Sequence, residues 1–260
     1  MIWLALAIGN SRYHWAWFID QELQESWHSE YVSMDSWPQQ LVLPDNFATY
    51  LKIQQLQLTD IPIYLASVVS TQTKLWQPHV QKVITLADVP LLNLYPTLGI
   101  DRALAAYGAG QQYGYPVLVI DGGTALTLTG IDSDRRLVGG AICPGLGLQL
   151  QSLNAGTAAL PKLLMPTTLP PRWATDTSVA ILSGVLHGSI ASLHSFIQDW
   201  HQQFPDSPVF TTGGDGERLQ HYLQQEQVPI IFSATLVLQG IAHLHSIIPA
   251  TTSKLHDHLS

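Results

Sequence analysis

The sequence is poor in cysteine and in charge. It has 260 residues, one cysteine at Cys143, and only 12% charged residues. A single cysteine excludes an intrachain disulfide and a cysteine-based zinc cluster. Because 11 Lys and Arg stand against 19 Asp and Glu, for a net charge of −8, a nucleic-acid partner is not expected. A small anionic ligand would therefore be held mainly by backbone amides and a few placed side chains.

Long hydrophobic runs are also scarce. The N-terminal stretch MIWLALAIGNSRYHW is apolar, but it lacks the basic region and cleavage site of a signal peptide and is interrupted at Gly9 and Asn10. No other segment approaches the roughly 20 apolar residues of a membrane span. The apolar content of 46% excludes a disordered chain. We therefore expect a cytoplasmic protein with no membrane partner.

The most informative stretch, residues 117–130, reads VLVIDGGTALTLTG. An apolar run that ends in Asp121, Gly122, Gly123 and Thr124, and then continues as a second run of β-formers, predicts a β-hairpin. Its tight turn would place backbone N–H groups beside a carboxylate. Nucleotide phosphates and their metal ion require this combination.

The N-terminus carries a similar pattern. Residues 2–8 and 12–19 are predicted strands around a Gly-containing turn, and Ala7 falls opposite Asp121 when the two stretches are superposed. Gly9 then matches Gly123, and Asn10 matches Thr124. Two hairpins at the starts of two similar halves suggest a duplicated fold. A chance match of two short stretches is the alternative.

Further elements follow from hydrophobic periodicity and capping residues. Helices are predicted at 45–56, 101–108, 176–203, 217–226 and 236–247, with another from the turn at 144–147 through Leu160; strands are predicted at 61–69, 83–86, 137–142, 209–212 and 229–232, and a loop at 161–172. Residues 108–116, GAGQQYGYP, have the composition of a linker. We accordingly predict an N-terminal domain at 1–112, a C-terminal domain at 113–250 and a flexible tail at 251–260.

Two other places could carry chemistry. Gly213 and Gly214 follow a predicted strand, and glycine allows a phosphate to approach the main chain. Asp101 and Arg102 follow Gly99 at a helix start. The dipeptide could be a solvated first-turn carboxylate complementing the helix dipole. It could also supply a general base and a guanidinium that clamps phosphate or carboxylate.

The ordered motifs resemble those of the type III pantothenate kinases. They are GNS at 9–11, GIDR at 99–102, DGGTALT at 121–127, GGAICPG at 139–145, LP at 160–161, a stretch at 177–188 with a central SG, TGG at 212–214 and LVLQG at 236–240. Their order and spacing hold over nearly the whole chain.

This resemblance implies a fold and a reaction. The fold is α/β, with two RNase H-like domains of the actin-like ATPase type and a nucleotide cleft between them. The reaction is ATP-dependent phosphorylation of pantothenate, the first committed step toward coenzyme A. The family uses ATP, Mg²⁺ and a monovalent cation, K⁺ or NH₄⁺, and is usually homodimeric.

The resemblance also assigns roles to residues. Asp101 matches the catalytic base, and Asp121 matches the metal-binding carboxylate. The residues matched to pantothenate binding are Tyr95, Gly99, Ile100, Arg102 and Thr177. Those matched to ATP and phosphate binding are Gly9, Asn10, Ser11, Gly123, Thr124, Gly213 and Gly214.

One departure concerns the first turn, where the family normally has an aspartate and this chain has Ala7. We expect an active enzyme with a modified metal site, because Mg²⁺ often uses one or two carboxylates together with substrate phosphates. A regulatory protein of the same fold that binds nucleotide or pantothenate without catalysis is the alternative. A related kinase acting on another small alcohol or acid is a third hypothesis.

Trp15 and Trp17, on one strand face, are expected in the core or in a dimer contact.

Overall fold

A computed structural model describes residues 1–34, 37–156, 160–225 and 229–247. The predicted tail at 251–260 lies outside these ranges. Residues 157–159 of the helix that is predicted to run from the turn at 144–147 through Leu160 also lie outside them.

The first sheet is built from the N-terminal third of the chain. Its strands are β1 (Ile2–Ile8), β2 (Tyr13–Ile19), β3 (Glu22–Ser29), β4 (Ile63–Ser67) and β5 (Lys82–Val83), in the spatial order β3-β2-β1-β4-β5. Helices α1 (Asp45–Gln54) and α2 (Ser70–Trp76) lie in the connections, with short 3₁₀ turns at Leu58–Asp60, Gln77–His79 and Leu86–Asp88. β3 and α2 are absent from the sequence prediction.

Helix α3 (Ile100–Tyr113) leads into the second sheet. Its strands are β6 (Val117–Gly122), β7 (Ala125–Ile131), β8 (Leu137–Pro144), β9 (Val209–Thr212) and β10 (Ile231–Phe232), and the helices between and after them are α4 (Leu146–Ala155), α5 (Thr177–Gln203), α6 (Gly216–Gln225) and α7 (Leu236–Ile247). The predicted elements recur within a few residues, and β9 and α7 have the predicted bounds.

The two sheets share one topology, which explains the similarity between the two hairpins. The second sheet has the order β10-β9-β6-β7-β8, so β6, β7, β8, β9 and β10 occupy the places of β1, β2, β3, β4 and β5. In each half the first two strands form an antiparallel hairpin, and the first strand also pairs in parallel with the fourth. The shared order supports duplication over a chance match.

The core consists of three apolar clusters. One lies on the outer face of the first sheet with α1 and α2, and another on the outer face of the second sheet with α4, α5 and α6. The third lies between the sheets and contains α3 and α7. Because β1 and β6 both contribute to this central cluster, the ends of the two hairpins face the same space.

Helices α3 and α7 cross at two glycines. A Cβ on Gly108 would lie 2.4 Å from the carbonyl oxygen of Leu236, and a Cβ on Gly240 would lie 2.3 Å from that of Leu104. The prediction of a linker at 108–116 is therefore wrong, because α3 continues to Tyr113. Small residues that are typical of linkers serve here to bring two helix backbones together.

The tryptophans of β2 belong to the core. Trp15 and Trp17 are buried in the outer cluster of the first sheet, where Trp15 packs edge-on against Trp76 and Trp17 stacks on Phe47. The expectation of core packing is confirmed for both residues, and a dimer contact through them is excluded by their burial.

Helix α5 is the one described helix that is long and apolar enough to cross a membrane, with a mean hydropathy of 1.4 over 18 residues. One of its faces is buried in the outer cluster of the second sheet, through residues such as Leu186, Ile190 and Leu193. The Asp176 side chain accepts a hydrogen bond from Val179 N–H at 3.1 Å and caps the helix. α5 therefore packs as an amphipathic core helix.

Candidate active site

Asp101 lies in the first turn of α3. Its Oδ1 accepts a hydrogen bond from the Arg102 N–H at 2.8 Å, and a Cβ on Gly99 would lie 2.4 Å from the same oxygen. Gly99 thus leaves room for the carboxylate to fold back over the helix start. Burial raises the pKa of Asp101, and the hydrogen bond from Arg102 N–H and the charge of Arg102 offset part of the rise. A freely solvated first-turn aspartate would lack this burial, so the environment favours the functional interpretation.

Arg102 points into the protein and is 7% exposed. Its Nε donates to Thr129 Oγ1 at 3.0 Å, Nη1 donates to Tyr95 Oη at 3.0 Å, and Nη2 donates to Leu128 O at 2.7 Å. These contacts tie the start of α3 to β7. A guanidinium has five N–H donors, and the described part of the chain accepts from three of them, which leaves two for a ligand. Arg102 is therefore both an anchor of the helix and a potential substrate contact.

Asp121 lies at the end of β6, beside the α3 terminus. Burial raises its pKa to about 6; the negative charge of Asp101 adds to the rise, and Arg102 opposes it. Asp101 and Asp121 are therefore within electrostatic reach of each other. Neither an ion pair nor a hydrogen bond to the Asp121 carboxylate occurs within the described ranges. A bound cation would relieve this uncompensated charge.

The two hairpin turns meet across the cleft. Ser11 Oγ lies 3.3 Å from Thr124 Oγ1. The N–H groups of Gly9 and Gly123 close their own turns by donating to Arg12 O and Ala125 O. In the part of the chain that the structure describes, the N–H groups of the next turn residues, Asn10, Ser11 and Thr124, make no hydrogen bond. These three N–H groups remain free for an anion.

The third glycine turn packs directly against the second. Gly213 has a φ of +81°, in the left-handed region, and a Cβ there would lie 2.2 Å from Asp121 Oδ1. Asp215 N–H donates to Gly122 O at 2.7 Å. β6 and β9 are paired so that Asp121 lies beside Thr212. The turn at Gly213 and Gly214 thus lies at the same end of the second sheet as Asp121.

The remaining predicted site residues are Tyr95, Ile100, Gly214 and Thr177. Tyr95 contacts the site through Arg102, and Ile100 is a buried core residue at the first position of α3. Gly214 has open space where a side chain would be. Thr177 is exposed at the start of α5, and among the described residues no hydrogen bond joins it to the cleft. Its role in pantothenate binding stays a prediction.

Several residues at the site were not singled out by sequence reasoning. Thr129 holds Arg102, and Tyr31 donates a hydrogen bond from Oη to Gly9 O. Gly145 N–H donates to Thr124 O at 2.9 Å, which ties the start of α4 to the second turn. The close backbone contact of Gly145 could have been predicted from the GGAICPG motif, because glycines clustered near a phosphate turn indicate close backbone contacts. No local pattern distinguishes Thr129 or Tyr31.

Comparison with known proteins identifies the family. The family model described as "Type III pantothenate kinase" matches residues 3–199. The chain belongs to the type III pantothenate kinase family. Relatives named type III pantothenate kinase include one from Synechocystis sp., 46% identical over 94% of this chain and 90% of its own, and one from Nostoc sp., 47% identical over 85% of each chain. One from Thermosynechococcus vestitus is 40% identical over 98% of this chain and 93% of its own.

Solved structures show the same fold at low identity. A Baf family transcriptional activator from Campylobacter jejuni has a TM-score of 0.63 at 19% identity, over 94% of this chain and 98% of its own. A 2-hydroxyisocaproyl-CoA dehydratase activator from Clostridium difficile, with bound ADPNP, has a TM-score of 0.54 at 12% identity, over 94% of each chain. A 2-dehydro-3-deoxygalactonokinase protein from Sinorhizobium meliloti has a TM-score of 0.56 at 14% identity, over 95% of this chain and 99% of its own. This chain thus has the actin-like, sugar-kinase-like ATPase fold expected for a type III pantothenate kinase.

Proposed function

We propose that this chain transfers the γ-phosphoryl group of ATP to the primary hydroxyl of pantothenate, yielding 4′-phosphopantothenate for coenzyme A synthesis in the cytoplasm. Identity of 40–47% to proteins named type III pantothenate kinase supports the reaction. The structural observation that carries the proposal is the placement of Asp101 and Asp121 at the end of the cleft where Ser11 and Thr124 face each other.

Asp101 would act as the general base. As the pantothenate hydroxyl oxygen forms its bond to the γ-phosphorus, its proton passes to the Asp101 carboxylate and the bond to the ADP leaving oxygen breaks. The raised pKa of Asp101 favours this role, because a more basic carboxylate accepts a proton more readily. The hydrogen bond from Arg102 N–H holds one oxygen and leaves the other available.

Arg102 and Tyr95 would bind pantothenate beside the base, together with Gly99, Ile100 and Thr177. The two guanidinium N–H groups that remain free are on Nη1 and Nη2, the nitrogens that contact Tyr95 and Leu128. Their positive charge suits the carboxylate of pantothenate or the transferred phosphoryl group. Because Thr129 and Leu128 fix the guanidinium, its free donors have a defined direction.

Asp121 fits a divalent cation such as Mg²⁺. It is a carboxylate without an ion pair in the described ranges, with a pKa raised to about 6. In those ranges no group of three or more His, Cys, Asp or Glu side chains could hold a metal alone, so phosphate oxygens and waters would complete the coordination. The cation would neutralise charge on the phosphates. We also propose that K⁺ or NH₄⁺ supports activity from the region of Thr124, which a comparison with Na⁺ tests.

A homodimer would complete the pantothenate site. A Cβ on Gly140 would lie 2.5 Å from Arg102 Nη2, and Val138 and Ile142, two positions to either side of Gly140 on β8, are 47% and 66% exposed. Exposed apolar side chains next to a binding site are typical of an interface. Ile142→Asp should shift the mass in sedimentation equilibrium from dimer to monomer and raise the KM for pantothenate. An unchanged dimer mass would contradict this interface.

Ala7 favours a second candidate, a nucleotide- or pantothenate-binding regulator without catalysis. In that case calorimetry would detect binding of both ligands, and no turnover would appear in the Ala7→Asp variant either. The domain division at residues 112 and 113 stays a prediction under both functions.

A turnover assay separates these functions. The purified chain is incubated with ATP, Mg²⁺ and K⁺, and ADP release is measured with pantothenate, with simple sugars and with acetate in parallel. ADP release that depends on pantothenate supports the proposal. Release with a sugar or acetate but not pantothenate would support a related kinase, and binding without release would support the regulator.

A further inference from the structure

The residue paired with Ala7 distinguishes the two hairpins chemically. In the first hairpin Ala7 lies directly opposite His14, and in the second Asp121 lies directly opposite Thr127. Side chains that are directly opposite in an antiparallel pair project from the same face of the sheet. Since Ala7 belongs to the central cluster between the sheets, His14 lies on the inner face, at the end of the hairpin near the turn.

The His14 imidazole adjoins the first phosphate turn. Its Nε2 lies 3.7 Å from the position that a Cβ would occupy on Gly9. The ring is half-buried and packs edge-on against His28, with 4.6 Å between the ring centroids. Over the residues that the structure describes, neither ring nitrogen of His14 makes a hydrogen bond. An imidazole N–H is therefore available beside the turn.

The charges around His14 favour an anion. The titratable groups that act on the ring are Arg12 in the turn and His28 on β3. Tyr31 Oη donates a hydrogen bond to Gly9 O in the same turn. At this end of β1, the paired residues of β4 are Ala66 and Ser67. No carboxylate is among these neighbours. Burial, then His28 and Arg12, lower the pKa of His14 to about 4, so the ring is neutral near pH 7 in the free protein. A bound polyanion would raise this pKa.

We propose that His14 Nε2 donates a hydrogen bond to a phosphate oxygen of the bound nucleoside triphosphate and that the ring takes up a proton on binding. This rests on the proposed function for the identity of the nucleotide, and the phosphates would lie between the turns joined by Ser11 and Thr124. The histidine thereby supplies positive charge at the turn where Ala7 offers no carboxylate for a cation. His14 is thus a binding residue that links nucleotide affinity to pH.

The alternative for an imidazole pair is a metal ion held by His14 and His28. Two imidazoles are an incomplete set, and the described ranges contain no third His, Cys, Asp or Glu in reach. A metal would also compete with protons, so its binding would weaken as the pH falls. The phosphate contact predicts the opposite trend.

The test measures binding of a non-hydrolysable ATP analogue to the full chain by calorimetry between pH 5.5 and 8, in Mg²⁺ and without pantothenate. For the wild type, affinity should rise as the pH falls, with a limiting slope of about tenfold per pH unit for one proton taken up. His14→Ala should weaken binding near pH 6.5 by about tenfold, the usual worth of one charge-assisted hydrogen bond. The KM for ATP should rise equally, with the KM for pantothenate unchanged.

Two variants separate the effect of proton uptake on affinity from that of the hydrogen bond. His14→Lys should keep the affinity and retain only the pH dependence of the ligand itself, and His14→Gln should keep part of the affinity with the same reduced slope. His79→Gln is the matched control, because His79 is exposed in the 3₁₀ turn at Gln77–His79 and is not among the groups that act on His14; this variant should change affinity by less than about twofold.

The outcomes separate this proposal from the proposed function. Unchanged affinity and pH slope in His14→Ala would overturn the role of His14, whether or not the chain phosphorylates pantothenate. Affinity that weakens as the pH falls, or that requires Zn²⁺ or Mn²⁺, would also overturn it. Absence of pantothenate turnover with the predicted His14 effects would contradict only the reaction.

Discussion

Ser11 Oγ and Thr124 Oγ1 lie 3.3 Å apart, although 113 residues separate them in the sequence. The contact joins the turn of the first hairpin to the turn of its copy in the second half. Because each turn follows the strand at the centre of its sheet, duplication places two anion-binding turns at one cleft. The two hairpins differ in their carboxylate, since the second has Asp121 where the first has Ala7.

Restoring the carboxylate at position 7 should change the metal requirement. Ala7 is 7% exposed, so Ala7→Asp buries a charge and should destabilise the free protein by about 1–3 kcal/mol. With ATP bound, the second carboxylate should lower the Mg²⁺ concentration that gives half-maximal activity. A Mg²⁺ titration at fixed ATP measures this, with Ala7→Asn as the uncharged control. Equal Mg²⁺ requirements in the two variants would show that position 7 does not face the cation.

Asp121 should be unfavourable for stability without a ligand. Its folded pKa of about 6 exceeds the unfolded value of about 3.9, so the folded state binds the proton more tightly. Deprotonation therefore costs stability as the pH rises through about 4 to 6, and the full cost, about 1–3 kcal/mol, is present at pH 7.5. Asp121→Asn should raise the free energy of unfolding at pH 7.5 in EDTA, and the gain should vanish near pH 4.

Urea denaturation at these two pH values measures the effect of Asp121→Asn, and a Mg²⁺-dependent activity assay should show that the same variant is impaired. Asp199→Asn, at an exposed position on α5, is the control and should change stability at neither pH. A loss of stability in Asp121→Asn at pH 7.5 would mean that Asp121 has a stabilising partner in the free protein.

The crossing of α3 and α7 should be intolerant of a methyl group. Gly108→Ala would place a Cβ 2.4 Å from Leu236 O and should cost about 1–3 kcal/mol, because two helix backbones must separate. Gly188→Ala, on the exposed face of α5 with no atom within 4 Å, should stabilise the protein by about 0.5–1 kcal/mol through helix propensity. Thermal unfolding of both variants tests the contrast; a similar gain in both would contradict the close crossing.

The repeat and most elements could be predicted from the sequence. Each hairpin consists of two runs of β-forming residues around a Gly-containing turn, and the apolar residues of α5 and α7 recur with clear helical periodicity. β3 was missed because its residues, ELQESWHS, are largely polar at the exposed edge of the sheet. The segment at 108–113 was misread because small residues suit a linker and a close helix crossing equally well. Composition alone does not separate these, since the distinction depends on a partner more than 120 residues away in the chain.

The site residues with catalytic chemistry could be predicted from motifs, but the contacts that orient them could not. Asp101 and Asp121 stand in short recognisable patterns. Thr129, which fixes Arg102, and His14, which faces the first turn, become visible only through strand register. Register depends on how two strands align, and one sequence carries no direct record of that alignment.

The reaction with Asp101 as its base is tested most directly by measuring 4′-phosphopantothenate formed from ATP and pantothenate by the wild type, Asp101→Asn and Asp45→Asn. Asp45 is the matched control, an exposed carboxylate in the first turn of α1. The wild type and Asp45→Asn should form product at similar rates, and Asp101→Asn should lower kcat by roughly 10²–10⁴-fold. No product from the wild type, or equal turnover by Asp101→Asn, would contradict this account.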